Sequence, residues 1–308
     1  MNVKEIQRVI SEKIPVNRVV AEHTEYEHWY RDTKVDELYS SVTARTGILD
    51  SPHLKAWAAN MATEYIDKNF HKLTKDTKDE IFNAAKQAHK DIFEDAGGIG
   101  SEIHDTVERY LLKWMKDEKQ PKDIRDFIIG KDVRLWAGAR SAELFMNDFE
   151  AVPVASELLV ASNKYKFAGT LDALCMIPTV VGPEGDTECK HDYWSSARHS
   201  TCVQCGRKVK FELILVDWKS SNSIFKDDYA MQVSAYWKAF VEMTGIRIKR
   251  AIIVRLDKNQ AKYEVVEVEN LPQSFKAFMN CSKVYDWLND GKTKLMPFNK
   301  KERIKLWN

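Results

Sequence analysis

The chain reads as an α/β protein, and three features say so. Five runs rich in β-branched and apolar residues, at 152–161, 166–177, 212–217, 249–256 and 263–268, have the length and composition of strands. Helical periodicity fills most of the chain before the first run, separates the third from the fourth, and follows the fifth. The order is then helices, three strands, helix, two strands, helix: an α/β core behind a helical N-terminal portion.

Residues 1–40 mix helix-like and polar segments and yield no assignment. From about 51 to 95 the pattern is helical, with Leu54, Trp57, Ala58, Met61 and Tyr65 recurring at three- and four-residue steps. Ser51-Pro52 suits the start, since proline is tolerated in a first turn. Gly97-Gly98 is expected to break the chain. A new helix then runs from about 99 to 116, with Ile103, Val107, Tyr110, Leu111 and Trp114 as its apolar stripe. Further helices are expected at about 132–148, 228–244 and 274–289. The expected division is 1–95 helical, 96–308 core, with an insertion at 178–210. No internal repeat or low-complexity segment is visible.

A length of 308 residues supports one large or two modest domains with a substantial core. Lys plus Arg number 47 against 46 for Asp plus Glu, so a nucleic-acid partner would need a local basic groove. The first residues lack a signal-peptide core, and no run of 18 apolar residues occurs. A soluble, intracellular, cytoplasmic protein with no membrane partner is expected. The five cysteines do not make a secreted disulfide framework, because three cluster between 189 and 205 while Cys175 and Cys281 stand alone.

Chemistry enters with Gly169-Thr170-Leu171-Asp172-Ala173 and Val216-Asp217-Trp218-Lys219-Ser220. Each places a carboxylate at or near the end of an apolar strand, where desolvation is costly unless a cation or hydrogen bonds compensate it. Asp217 and Lys219 share one side of a strand, because side chains alternate with period two. Asp217 can then bind a hard metal while the Lys219 ammonium lies near the same reacting group, an arrangement suited to phosphodiester cleavage. A strand-edge aspartate and a solvated strand-end lysine are the bland alternatives. His104 stands beside an apolar stripe, where a satisfied helix–core histidine is the ordinary reading. Gln232 and Tyr236, four residues apart, share a helix face. A tyrosine there is commonly core, with Val233, Trp237 and Phe240 as neighbours.

Gly-x-x-Asp, then apolar-Asp-x-Lys, then Gln232-x-x-x-Tyr236 on a following helix resembles the PD-(D/E)XK nuclease superfamily. Within it, the pattern is similar to the RecB-like exonuclease branch that includes phage and mitochondrial-genome-maintenance enzymes. Glu157 and His104, the latter in Gly100-Ser101-Glu102-Ile103-His104, also match positions that branch uses. The resemblance spans roughly residues 95–240, with an echo at Ser41-Val42-Thr43-Ala44-Arg45. It implies a restriction-endonuclease-like core, a mixed sheet flanked by helices. It also implies catalytic roles for Asp172, Asp217, Lys219, Gln232 and Tyr236, with Mg²⁺ or Mn²⁺ held by His104, Asp172, Asp217 and, less firmly placed, Glu157. Lys219 would orient or deprotonate the attacking water or offset transition-state charge. Gln232 would steady Lys219 or the nucleophile, and Tyr236 would touch DNA or the site. Thr43 and Arg45 would lie near the nucleic-acid path, the bland alternative being a strand or turn before a helix. Ser220 and Ser221 either donate to a phosphate or merely end the strand. Some relatives carry an iron–sulfur cluster bound partly by a C-terminal cysteine triplet; only Cys281 lies near this C-terminus, so that cluster is not expected.

The 45 residues from Asp172 to Asp217 exceed what two adjoining strands need. The excess holds Cys189-Lys190-His191 and Cys202-Val203-Gln204-Cys205-Gly206. Cys189, His191, Cys202 and Cys205 form a Cys₃His set typical of structural zinc, in the manner of a small zinc ribbon. His199 is an alternative to His191, and redox use of the Cys-x-x-Cys pair is the competing reading. The expected function is a metal-dependent DNA exonuclease acting on single strands or duplex ends in phage-type recombination, replication or repair. A single-strand-binding or annealing protein is a further expected partner. A structure- or sequence-specific endonuclease and a catalytically inactive DNA-binding module are the alternatives.

Overall fold

The computed structural model describes residues 1–23, 28–49, 52–181, 200–201, 208–221, 224 and 226–291. Helix α1 (Val3–Lys13) opens on a reciprocal cap, Asn2 accepting from the Glu5 amide while Glu5 accepts from the Asn2 amide. Its Ile6 and Ile10, with Ile14 just beyond, are buried. Strands β1 (Val19–His23), β2 (His28–Asp32) and β3 (Glu37–Ser41) form an antiparallel meander. Ser41 then caps the short helix α2 (Val42–Thr46). Helix α3 (Pro52–Asn69) and a 3-10 turn lead into the 40-residue α4 (Lys78–Asp117), then α5 (Val133–Asp148). The remaining elements are β4 (Val152–Ser162), β5 (Phe167–Val181), β6 (Ser200–Thr201), β7 (Lys208–Lys219), α6 (Lys226–Thr244), β8 (Arg250–Leu256), β9 (Tyr263–Glu267) and α7 (Leu271–Asn289).

These strands build one mixed sheet in the order β1-β2-β3-β5-β7-β8-β9, with β4 also on β5 and β6 also on β7. The β3–β5 and β7–β8 pairs are parallel and the rest antiparallel. Helices cover both faces. Ile6, Ile10, Phe240, Phe275 and Phe278 of α1, α6 and α7 meet Leu174, Leu215 and Ile253 on one side. Ile103, Val107, Tyr110 and Phe145 of α4 and α5 meet Ala173, Val216, Trp218 and Val254 on the other.

The fold is α/β with a mixed, helix-flanked sheet, as expected, but three expectations change. The first 95 residues are not a helical portion, since β1–β3 extend the sheet and α1 enters its core. Nor do Gly97 and Gly98 break the chain: α4 passes through them, so the expected boundary at 95/96 falls inside one helix. Close packing instead involves Gly100, two residues further on. A Cβ on Gly100 would lie 2.7 Å from Ser220 Oγ, so its absence lets α4 approach the end of β7. The proposed zinc ligands Cys189, His191, Cys202 and Cys205 lie outside the described residues. Among the described residues no helix is long and apolar enough to cross a membrane.

Candidate metal centre

The site forms where β5 changes partners. On one edge β5 pairs with β4; on the other, β3 covers Phe167 and Ala168, while β7 begins only at Ala173. The stretch Gly169–Asp172 lies in the interval between those two pairings. There the Asp172 carboxylate bridges toward β7, its Oδ2 accepting from the Trp218 amide at 2.7 Å.

Strict alternation also fails at this point. Ala155 and Leu158 on β4, and Leu171 and Leu174 on β5, all pack toward the α6 face, at three-residue intervals. Period two cannot produce that spacing. Glu157, between them, has φ of 45°, a left-handed conformation that costs a non-glycine residue of order 1–3 kcal/mol and tends to mark functional sites. The irregularity leaves Glu157 and Asp172 turned toward α4, where His104 sits one turn beyond Gly100. His104 Nδ1 is 3.9 Å from both Glu157 Oε1 and Asp172 Oδ2.

Among the described residues, His104, Glu157 and Asp172 are the group whose ligand atoms all lie within 4.8 Å of one another. Opposite ligands on an ion with ~2.1 Å bonds stand about 4.2 Å apart, so this trio fits one divalent cation with small side-chain shifts. One imidazole and two carboxylates do not by themselves select the metal. A cleft of about 460 Å³ opens beside them, lined by Gly100, Ser101, His104, Asp105, Glu108, Glu157 and Ser220 among others.

Asp217 stands next to the trio rather than within it. It is 1% exposed, and its Oδ2 lies 2.8 Å from Lys219 Nζ. Burial pushes its carboxyl up to about 6, with Lys219 opposing that shift and Asp172 adding to it. Burial raises Asp172 too, against the pull of His104 and Lys219. Burial alone would lower His104 and Lys219, but the facing carboxylates outweigh it. Asp172 and Glu157 hold the imidazole above its ordinary value, and Asp217 and Asp172 do the same for the ammonium. The centre thus concentrates acids whose charge burial penalises, the condition that an added cation relieves.

The glycine of the first motif and the tyrosine of the third explain each other. A Cβ on Gly169 would meet Tyr236 Cε1 at 2.6 Å, so the ring edge comes this close to the strand only because position 169 is glycine. Tyr236 is 4% exposed, and its hydroxyl accepts from Gln232 Nε2 at 3.0 Å. It therefore supports β5 from beneath; of the two expected contacts, DNA or the site, a ring so buried suits only the second. Gln232, expected to steady Lys219 or the nucleophile, donates to Tyr236.

Arg45 is also turned inward. It is 4% exposed, donates to Ser40 Oγ at 2.8 Å and to the Lys166 carbonyl at 2.8 Å, and pairs with Asp286 at 3.1 Å. A guanidinium so engaged ties α2 to β5 and α7, which does not suit the expected DNA contact. Thr43 is exposed, its hydroxyl 3.1 Å from that of Ser41. Ser220 lines the cleft, whereas Ser221 accepts from the Tyr229 hydroxyl at 3.2 Å. Asp105, Glu108 and Tyr229 were missed from sequence. Tyr229 carried a signal, standing three and seven residues before Gln232 and Tyr236 on one helix face.

No protein-family model matches this chain, and no curated protein matches it. Among solved structures it is similar to the crystal structure of SSO0001, at 13% identity over 61% of this chain and 76% of that one, with a TM-score of 0.26. A likeness of that size carries no argument about fold or function.

Proposed function

We propose that the chain is a divalent-metal-dependent deoxyribonuclease of the PD-(D/E)XK type, in the RecB-like manner, cutting DNA from ends or single strands. One observation carries the reading: His104, Glu157 and Asp172 converge from α4, β4 and β5 while Lys219 and Asp217 of β7 stand beside them. The order of these residues along the chain supports the same family. The change of strand partner at Asp172 gives the motif a physical purpose.

His104, Glu157 and Asp172 would hold Mg²⁺ or Mn²⁺, which supplies Lewis acidity toward a phosphate oxygen and acidifies a bound water. Water attacks phosphorus, the bond to the leaving sugar oxygen breaks, and the water's proton ends on that oxygen. Lys219, held as an ammonium by Asp217, offsets the charge that builds on the phosphorane-like transition state; its raised pKa disfavours it as the base. Asp172 keeps its orientation through the Trp218 amide. Ser220, in the cleft wall, is placed to donate to a phosphate. The Cys189, His191, Cys202 and Cys205 set goes with this reading as a structural zinc site, resting on its spacing alone. Zinc content per chain, lost in Cys202→Ser, tests it.

The test of function compares end-labelled linear DNA with a closed single-stranded circle, in Mg²⁺, Mn²⁺ or EDTA, for wild type and Lys219→Ala. Shortening of the linear strand alone, abolished by EDTA and reduced at least about a hundredfold by the substitution, is expected. Cutting of the circle makes the protein an endonuclease. Absence of metal-dependent cutting leaves a DNA-binding module.

A further inference from the structure

Among the described residues, Lys219 meets an aromatic ring as well as its acidic neighbours. Besides its ion pair with Asp217, its Nζ lies 4.9 Å from the centroid of the Tyr229 ring, within cation–π range. Tyr229 sits in the first turn of α6, so the helix start sets its ring, and its hydroxyl donates to Ser221 Oγ just after β7. We propose that Tyr229 is a positioning residue that clamps the Lys219 ammonium against Asp217 and aims it at the scissile phosphate. The inference rests on the nuclease reading above.

The chemistry favours an aromatic ring here over a second carboxylate. A lysine side chain has four rotatable bonds and a strongly hydrated head, so a single ion pair leaves it free to swing. A ring face attracts the ammonium electrostatically without accepting one of its protons in a conventional hydrogen bond. Nζ then keeps protons for a phosphate oxygen and its full charge for the transition state. A carboxylate in that place would attract more strongly but cancel the charge the reaction uses. The two ends of Tyr229 divide the labour. Its ring holds Lys219, and its hydroxyl fastens the chain that follows.

The division makes a test by paired variants. Tyr229→Phe keeps the ring and loses the hydroxyl, while Tyr229→Leu keeps bulk and loses the π face. Single-turnover cleavage at saturating Mn²⁺ should fall about tenfold in Tyr229→Leu and stay within about twofold of wild type in Tyr229→Phe. The dissociation constants for Mn²⁺ and DNA should be unchanged in both. Equal rates in the two variants, whether both lost or both wild-type, overturn the clamp. A readout independent of cutting is acylation of Lys219 by an N-hydroxysuccinimide ester, followed by peptide mass spectrometry. Labelling should be several-fold faster in Tyr229→Leu only; equal labelling in all three proteins overturns the clamp. Wild type that labels as expected but cuts nothing would sink the nuclease reading and leave the clamp standing.

Discussion

The two halves of α4 belong to one helix but live in different surroundings. Before Gly97 it buries only Ile81 and Ala85, packs on α3 through contacts such as Trp57 with His89, and leaves Ile92 and Phe93 exposed. After Gly98 it buries Ile99, Gly100, Ile103, Thr106, Val107, Tyr110 and Leu111 against the sheet and delivers His104 to the carboxylates. The first half is an arm and the second is a wall of the site. What separates them is whether a sheet lies beneath, and local helix propensity has little part in it.

That contrast can be broken by substitution. The largest effect is expected in the second half: Ile103→Ala, at a site with no exposure, should cost about 2–5 kcal/mol in denaturant unfolding. Ile92→Ala, at a site 47% exposed, should stay within about 0.5 kcal/mol. Similar losses at both positions would mean that the arm is as tightly packed as the wall.

Glycines sharpen it next. At Gly169 a Cβ would strike the Tyr236 ring, so Gly169→Ala should destabilise by about 1–3 kcal/mol and loosen the site strand. At Gly97 a Cβ meets nothing within 4 Å, and Gly97→Ala should stabilise by about 0.5–1 kcal/mol through helix propensity. A loss of stability in Gly97→Ala would reinstate the break at that glycine pair.

A smaller effect is the coupling of stability to pH. Burial raises Asp217 from 3.8 to about 6, and its carboxylate neighbours raise His104 above 6.5. Both groups bind protons more readily folded than unfolded, so their contribution is greatest at low pH. It is lost as pH rises, first through the range from about 4 to 6 and then through that of the imidazole. A bound divalent ion would take over the protons' role, so on the proposed reading the difference in Tm between Mn²⁺ and EDTA should widen from pH ~5 to ~8. A difference independent of pH would count against an ion bound at His104 beside these carboxylates.

The core was legible where burial is two-sided. The apolar runs of β5, β7 and β8 stood out because both of their faces are covered by helices. Strands β1–β3 did not, because Glu22, Arg31, Asp32 and Glu37 interrupt any alternation; Arg31 pairs with Glu22, Asp32 with Arg18 and Glu37 with Lys166, ion pairs that are invisible in a linear pattern. The Asn2–Glu5 cap and the four-residue spacing of Ile6, Ile10 and Ile14 were readable signals of α1 that passed unread. In the site, Asp172, Asp217 and Lys219 were readable because acids and a lysine in apolar strands demand an explanation. The left-handed turn at Glu157 was not, since nothing about a glutamate announces positive φ. Arg45 misled because the family resemblance sets it near the nucleic-acid path, while its guanidinium closes a contact with Asp286, far along the chain.

The central claim is that α4 completes a divalent-ion site on β4 and β5. Calorimetric titration of Mn²⁺ into wild type, His104→Ala, Glu157→Gln and Ile92→Ala tests it most directly. The account predicts equal affinity for wild type and Ile92→Ala, and at least about tenfold weaker binding for the other two. Undiminished affinity in His104→Ala and Glu157→Gln would contradict it.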